Sequence, residues 1–144
     1  MQNEITIRPI YADTDAEGVV YYARYLEWLE KGRTEYLRDA GYTVNQLKQD
    51  GVLFAVRNVN LDYLQPGRYD DDLRVRTSVV ESKGSRIVFA QQVVNAYTEQ
   101  VLVSGQILLI TLAVDTFKPR RVPEDLSAYL LKNLRILSAE RSVK

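Results

Sequence analysis

The spacing of apolar residues changes along the chain and predicts one long helix followed by strands. Between Ala23 and Gly41 the apolar residues recur every three or four positions, which is typical of a helix with one buried face. The residues of this face are Tyr25, Trp28, Leu29, Gly32, Tyr36, Leu37 and Ala40. Gly41 supplies a C-terminal stop. At Gly32 the missing side chain either lets the helix approach a sheet closely or is a tolerated helix glycine.

Apolar and polar residues alternate over much of the remaining chain, which predicts strands. A first strand is expected around Ile5 and Ile7, stopped near Pro9. Four strands are expected after the helix. Their apolar positions are Val52, Phe54 and Val56 with Val59, Leu61 and Tyr63; then Leu73, Val75, Thr77 and Val79; then Ile87, Phe89, Val93, Val94 and Ala96; then the run Val101–Thr116. In the first of these strands the alternation changes phase between Val56 and Val59. We therefore expect a one-residue bulge near Arg57–Asn58, which would keep the apolar residues on both sides of it facing the core.

Turn and cap residues separate these segments. Thr43 followed by Gln46 resembles a capping box, so a short helix is expected to run to about residue 50. Gln65–Arg68 has proline and glycine at the central positions of a type II turn, and further turns are expected at 83–85 and 98–100. A closing helix is expected after Pro123. Its inward residues are Leu126, Tyr129 and Leu130.

This order of elements favours an α+β fold, with one antiparallel sheet wrapped against one helix. No repeat, low-complexity tract or linker interrupts the sequence. We therefore expect a single domain over residues 1–144, with an ordered core from about residue 4 to about residue 135 and a loose tail at Ser138–Lys144.

Composition excludes several kinds of chemistry. The 19 Lys and Arg balance the 19 Asp and Glu, so a nucleic-acid or anionic membrane partner is not expected. The absence of Cys and His excludes disulfides, cysteine nucleophiles, Ser-His-Asp catalysis and the usual zinc sites, and no metal or cofactor is expected. The chain begins without a signal-peptide pattern, and its apolar run Val101–Val114 is too short to span a bilayer. We expect a cytoplasmic protein.

The segment that carries chemistry lies between the first strand and the long helix and reads YADTDAEGVVYYARY, residues 11–25. It contains an aromatic residue, Asp-x-Asp, a spaced glycine, two small apolar residues and an aromatic pair. This pattern resembles the signature of the 4-hydroxybenzoyl-CoA thioesterase family, and the likeness continues through Leu26–Arg33, Tyr63–Pro66 and Tyr69–Asp71. The resemblance covers most of the chain. It implies a hot-dog fold, with a five-stranded antiparallel sheet around one long helix, and acyl-CoA thioesterase activity.

By this resemblance the catalytic carboxylate falls on Asp15, and the carbonyl-polarising backbone N–H falls on Tyr22 at the expected helix start. Unpaired N–H groups and the helix dipole can stabilise the oxyanion of an attacked thioester. Asp15 either attacks the carbonyl directly or deprotonates a water molecule, and the sequence leaves both open. Many relatives have histidine where this chain has Tyr22, while others have an aromatic residue there, so Tyr22 is within the range of the family. Asp13 is expected to bind loop amides and Glu17 to be solvated.

The candidates for substrate binding are Tyr11, Gly18, Tyr25, Lys83 and Arg86. Tyr11 either contacts substrate or closes a loop. Tyr25 either lines an acyl pocket, with Tyr21, Trp28 and Tyr36, or belongs to the core. Coenzyme A, as part of the substrate, would need cations for its phosphates. Lys83, Arg86, Lys118, Arg120 and Arg121 are available, and each is equally well explained as a solvated charge.

The resemblance also implies a homo-oligomer, because family members form dimers whose sheets join, often paired into tetramers, with the active site at the interface. Two other functions stay open: hydrolysis of thioesters carried by acyl carrier protein, and a non-catalytic module that binds acyl thioesters. A carboxylate at Asp15 argues against binding alone, since burying one near an acyl carbonyl gains nothing for binding. The missing histidine argues against a hot-dog dehydratase.

Overall fold

Five strands form one antiparallel sheet in the computed structural model, which describes residues 2–134. The strands are β1 Asn3–Ile7, β2 Val52–Tyr63, β3 Leu73–Lys83, β4 Arg86–Asn95 and β5 Val101–Ala113, and the helices are α1 Arg24–Asp39, α2 Val44–Gln49 and α3 Glu124–Lys132. The sheet order is β1-β3-β4-β5-β2, so β1 and β2 are its edges. The predicted α+β fold is confirmed, while the expected tail Ser138–Lys144 lies outside the described residues.

The apolar face of α1 packs on β1, β3 and β4, as its spacing predicts. Its buried residues are Tyr25, Trp28, Leu29, Gly32, Arg33, Tyr36 and Leu37. The helix ends where Gly41 takes a φ of +95°, and Tyr42 N–H then donates to the Leu37 carbonyl at 2.9 Å. A left-handed residue after the last turn is a common way to satisfy the final carbonyls of a helix.

Gly32 is the point at which α1 lies nearest the sheet. A Cβ atom there would come within 2.7 Å of Thr77 Oγ1, 2.9 Å of Val75 Cγ1 and 3.0 Å of Gln91 Nε2. Ordinary side-chain contacts are longer, so no other residue fits without displacing a neighbour. Of the two interpretations of Gly32, the structure supports close helix packing.

A buried polar group surrounds this contact. Gln91 Nε2 donates to the Leu29 carbonyl at 2.9 Å and to Thr77 Oγ1 at 2.8 Å, and Gln91 Oε1 accepts from the Arg33 guanidinium at 2.9 Å. Buried amides are costly unless they are bonded, so these bonds hold α1 at one height on the sheet.

The predicted bulge in β2 is confirmed, because the pairing with β5 shifts between Val56 and Asn58. The expectation that both groups of apolar residues face the core is wrong for part of the strand. Val56 and Val59 are 53% and 42% exposed. The reason is the position of β2 at the edge of the sheet, beyond the strands on which α1 packs.

The predicted type II turn at Gln65–Arg68 is wrong, since Gly67 does not have the positive φ that the turn requires. The chain turns three residues later, where Asp70 has a φ of +64° and Asp71 N–H donates to the Arg68 carbonyl at 3.2 Å. Gly67 is needed for space instead. A Cβ atom there would lie 2.9 Å from the Tyr25 hydroxyl.

The other boundaries agree with the sequence analysis except at one strand end. Thr43 Oγ1 accepts from Gln46 N–H at 3.0 Å and caps α2, while Leu126 and Leu130 bury the inner face of α3. β5 ends at Ala113 rather than Thr116, because the chain turns back at Phe117 with a φ of +59°. Within residues 2–134 no helix is long and apolar enough to cross a membrane.

We expect Gly32→Ala to lower the free energy of unfolding by about 1–2 kcal/mol, because overpacking outweighs the gain in helix propensity. Urea denaturation measures the change. Lys31→Ala, at an exposed neighbouring position of α1, is the matched control and should change stability little. A Gly32→Ala variant as stable as this control would contradict the proposed close contact.

Tyr36 should make the protein sensitive to alkaline pH. Burial raises the pKa of Tyr36 to about 12, and its hydroxyl has no hydrogen-bond partner within residues 2–134. The folded state therefore holds this proton more tightly than the unfolded state, so stability falls as pH rises from about 10 to about 12. Tyr36→Phe should be at least as stable as the native protein at pH 7. Between pH 10 and pH 12 its free energy of unfolding should fall by about 2 kcal/mol less than that of the native protein. Denaturant unfolding curves of both proteins at about pH 10 and about pH 12 measure the difference. An equal loss of stability with pH in the two proteins would contradict the role of Tyr36.

Candidate active site

A tight loop between β1 and α1 holds the two aspartates of the Asp-x-Asp pair. It begins with a short 3-10 helix at Tyr11–Asp13. Its two arms are joined by Asp15 N–H donating to the Val19 carbonyl at 2.9 Å and Tyr21 N–H donating to the Asp13 carbonyl at 2.8 Å. Gly18 closes the tip with a φ of +80°, a conformation that glycine adopts readily. Gly18 therefore shapes the loop that presents Asp15.

Asp13 anchors the loop to α1, as the sequence analysis expects of it. Its carboxylate accepts from Ile10 N–H at 2.9 Å and lies 3.6 Å from Arg24 Nε. Arg24, the first residue of α1, also donates to the Ala12 carbonyl at 3.3 Å. These bonds fix the loop beside the start of the helix.

Asp15 has one engaged oxygen and one without a partner. Oδ1 accepts from Glu17 N–H at 2.8 Å, and Oδ2 accepts no hydrogen bond within residues 2–134. The residue is half-buried, while Glu17 is exposed. The bond to Glu17 orients the carboxylate and leaves its second oxygen available to a substrate or a water molecule.

The chain enters α1 through Tyr22 and Ala23. Tyr22 precedes the first helical residue, Arg24, by two positions, so α1 begins slightly later than predicted. Its N–H donates to no acceptor within residues 2–134, and its carbonyl accepts from the Tyr63 hydroxyl at 3.3 Å. Ala23 caps the helix without a side-chain bond. Free donors therefore lie at the positive end of the helix dipole.

An aromatic cleft of about 260 Å³ opens next to the helix start. Its lining residues are Val20, Tyr22, Tyr25, Tyr63, Leu64, Gln65 and Pro66. The rings of Tyr22 and Tyr63 meet edge to face, with centroids 6.1 Å apart, and Tyr25 lies 5.8 Å from Tyr63. The lining is mostly apolar and aromatic, which is typical of small-molecule sites.

The pKa values of three tyrosines near the cleft are raised. The neighbouring Tyr22 hydroxyl is the main cause that raises the pKa of Tyr21, and the negative charge of Asp15 adds to it. Burial raises the pKa of Tyr63 and of Tyr25. The Tyr21 hydroxyl is therefore within electrostatic range of Asp15, and all three phenols are neutral at pH 7.

The structure separates the predicted substrate-binding residues into two groups. Near the cleft, Tyr25 is 3% exposed and its hydroxyl accepts from Gly67 N–H at 3.1 Å, so it belongs to the core as well as to the cleft wall. Tyr11 is on the surface, where its ring stacks on Tyr69 with centroids 3.9 Å apart. The ring of Tyr11 is thus engaged away from the cleft.

Lys83 and Arg86 lie at the β3–β4 turn, and Arg86 pairs with Glu81 at 3.3 Å. Leu73 and Lys83 are the two ends of the 11-residue β3, roughly 30 Å apart. The Asp15 loop lies at the Leu73 end, because Ile7 pairs with Leu73. Within one chain neither cation reaches the cleft.

Two residues that the sequence analysis did not assign to the site contribute to it. Tyr63 forms one wall of the cleft and binds the Tyr22 carbonyl, and Gly67 makes room for the Tyr25 hydroxyl. The sequence signal that could have identified Tyr63 is its position at the end of a strand, shortly before Pro66 and Gly67. Within residues 2–134, no group of three or more Asp, Glu, His or Cys residues is placed to hold a metal ion.

The chain is similar to known thioesterases in sequence and in fold. A family model described as the thioesterase-like superfamily matches residues 11–130. The acyl-CoA thioester hydrolase YbgC of Escherichia coli is 36% identical over 122 residues, which is 85% of this chain and 90% of that protein. A probable thioesterase from Bartonella henselae is 33% identical with a TM-score of 0.74, covering 85% of this chain and 98% of that one. DHNA-CoA thioesterase from Staphylococcus aureus is 26% identical with a TM-score of 0.84, covering 99% and 95%.

The overall fold thus matches those of proteins that share at least a quarter of this sequence over most of its length. The chain belongs to the thioesterase-like superfamily and is a thioester hydrolase with the hot-dog fold.

Proposed function

We propose that this protein hydrolyses an acyl-CoA thioester to a free acid and coenzyme A in the cleft beside Asp15. What supports the proposal is that one loop connects Asp15 to the start of α1, and that one oxygen of the Asp15 carboxylate and the N–H of Tyr22 have no hydrogen-bond partner within residues 2–134. The name of the Escherichia coli relative, an acyl-CoA thioester hydrolase, supports the donor.

In this proposal the thioester carbonyl oxygen accepts a hydrogen bond from the Tyr22 N–H. As the carbonyl carbon is attacked, negative charge develops on that oxygen, and the N–H and the helix dipole stabilise it. The phenols of Tyr21 and Tyr63 add no negative charge nearby, because they are neutral at pH 7. Coenzyme A leaves as its thiol after taking a proton, and the reaction needs no cofactor.

Asp15 supplies the attack in one of two ways. As a nucleophile, its free oxygen bonds to the acyl carbon and forms a mixed anhydride that water then hydrolyses. As a general base, it takes a proton from a water molecule that attacks instead. Glu17 N–H orients the carboxylate in both cases.

Lys83 and Arg86 fit a role in coenzyme A binding only across two chains. Lys118 and Arg120 lie at the same end of the sheet. Thr111 N–H donates to the Ser85 carbonyl in the β3–β4 turn, and Arg120 N–H donates to the Thr111 carbonyl. A second copy joined antiparallel along the edge strand β2 would bring this basic end beside Tyr63 and the cleft. Cations there would meet the phosphates of coenzyme A. We therefore include a homo-oligomer in the proposal.

Replacing the carboxylate tests the proposed role of Asp15. Asp15→Asn keeps the shape of the side chain but removes its charge, so we expect kcat/KM for the best acyl-CoA substrate to fall roughly a hundredfold or more. Thiol release from a panel of benzoyl, short-chain and long-chain esters measures activity. Glu17→Gln, an exposed neighbour, is the control and should retain native rates.

Equal rates in both variants would exclude Asp15 as the catalytic group. If the native protein releases thiol from no acyl-CoA ester but does so from the same acyl groups on acyl carrier protein, the donor is the carrier protein. If neither donor is hydrolysed yet acyl-CoA binds, the protein is a binding module.

A single turnover in ¹⁸O-labelled water separates the two mechanisms. Label in the Asp15 carboxylate after one turnover identifies the nucleophilic route. Label in the product acid alone, with no acylated enzyme in rapid-quench mass spectrometry, identifies general-base catalysis.

A further inference from the structure

The backbone of Tyr22 makes one hydrogen bond within residues 2–134, and a side chain supplies it. The Tyr63 hydroxyl donates to the Tyr22 carbonyl at 3.3 Å, whereas the Tyr22 N–H has no acceptor there. The preceding residue differs, because both of its backbone groups are bonded to backbone. Tyr21 N–H donates to the Asp13 carbonyl at 2.8 Å, and the Tyr21 carbonyl accepts from Arg24 N–H at 2.9 Å. The direction of the Tyr22 carbonyl therefore depends on Tyr63 rather than on the hydrogen bonds of the helix.

The two backbone groups of Tyr22 have opposite effects on a thioester that binds beside the helix start. The N–H carries a positive partial charge, which stabilises negative charge on the oxygen of an attacked thioester. The Tyr22 carbonyl oxygen carries a negative partial charge and would repel that oxygen if it turned toward it. A hydrogen bond from a phenol fixes the direction of this carbonyl and offsets part of its charge.

The sheet and two neighbouring rings determine where the Tyr63 hydroxyl lies. Tyr63 is the last residue of β2, where it pairs with Val103 of β5. Its ring meets the Tyr22 ring edge to face, with centroids 6.1 Å apart, and lies 5.8 Å from the Tyr25 ring. The Tyr25 hydroxyl is engaged elsewhere, since it accepts from Gly67 N–H at 3.1 Å. The Tyr63 ring thus forms part of the cleft wall while its hydroxyl meets the Tyr22 carbonyl.

We propose that Tyr63 is a positioning residue for thioester hydrolysis, whose hydroxyl holds the Tyr22 carbonyl away from the developing oxyanion so that the Tyr22 N–H alone faces it. The inference rests on the proposed function and adds a residue to it. Tyr63 acts on the reaction through Tyr22, and its phenol keeps its proton throughout. A single bond of 3.3 Å from a half-exposed side chain contributes little to stability, so its loss should affect catalysis more than folding.

Removal of the hydroxyl alone tests this role. Tyr63→Phe keeps the ring that lines the cleft, so we expect kcat for the best acyl-CoA ester to fall roughly tenfold while KM stays within about twofold. Loss of an oxyanion donor itself costs more, about a hundredfold to a thousandfold, and here the Tyr22 N–H remains. Tyr97→Phe, the same change at a residue that is 92% exposed between β4 and β5, is the matched control and should keep both constants.

A second variant separates the hydroxyl from the ring. Tyr63→Leu removes both, so kcat should fall as in Tyr63→Phe and KM should rise severalfold as well, because a wall of the cleft is lost. Steady-state thiol release measures both constants, and thermal unfolding followed by circular dichroism shows that each variant is folded at the assay temperature. A residue that only supports the fold would not give this separation of kcat from KM.

A Tyr63→Phe variant with the kcat of Tyr97→Phe would overturn the positioning role. A variant in which KM alone changes would overturn it too, because the hydroxyl would then act in substrate binding. Asp15→Asn, assayed on the same ester, distinguishes this failure from failure of the proposed function. If Asp15→Asn loses activity and Tyr63→Phe does not, the positioning role falls and the proposed function stands. If the native protein hydrolyses no thioester, both fall.

Discussion

The contact between α1 and the sheet at Gly32 fixes the geometry on which the site depends. With no side chain at that position, the helix lies close enough for Gln91 to bind the Leu29 carbonyl and Thr77 at once. A buried amide bonded on both sides allows little sliding or rotation of the helix. The N-terminal end of α1 is therefore held rigidly, and that end carries the free N–H of Tyr22.

A second set of bonds joins the Asp15 loop to the same helix end. Arg24 binds Asp13 and the Ala12 carbonyl, and the Tyr63 hydroxyl binds the Tyr22 carbonyl from the side of β2. The loop, the helix and the end of β2 thus meet at one point. The candidate site is thus built from carboxylate, hydroxyl and backbone groups, which suits a chain whose sequence contains neither histidine nor cysteine.

Much of the fold could be predicted from the sequence because periodicity and caps are local properties. The helical face from Tyr25 to Leu37 and the bulge near Asn58 were both evident from spacing alone. The exposure of Val56 could not be predicted, because an apolar residue on an edge strand has the same pattern as one in the middle of a sheet. The distance between Lys83 and the cleft could not be predicted either, because it depends on the order of the strands in the sheet. Gly67 was misassigned because a Pro-Gly pair is typical of turns, whereas here the glycine makes room for a buried hydroxyl.

The pairing of β1 with β3 has a consequence for the order in which the protein forms. Asn3 pairs with Thr77, and Ile7 pairs with Leu73, so the first strand has no partner in the sheet until more than half of the chain has been synthesised. Contacts between residues so distant in sequence form slowly, because a long loop must close first. The loop that carries Asp15 follows β1 directly. A nascent chain on the ribosome therefore contains Asp15 long before the pairing of β1 with β3 can hold its loop in place.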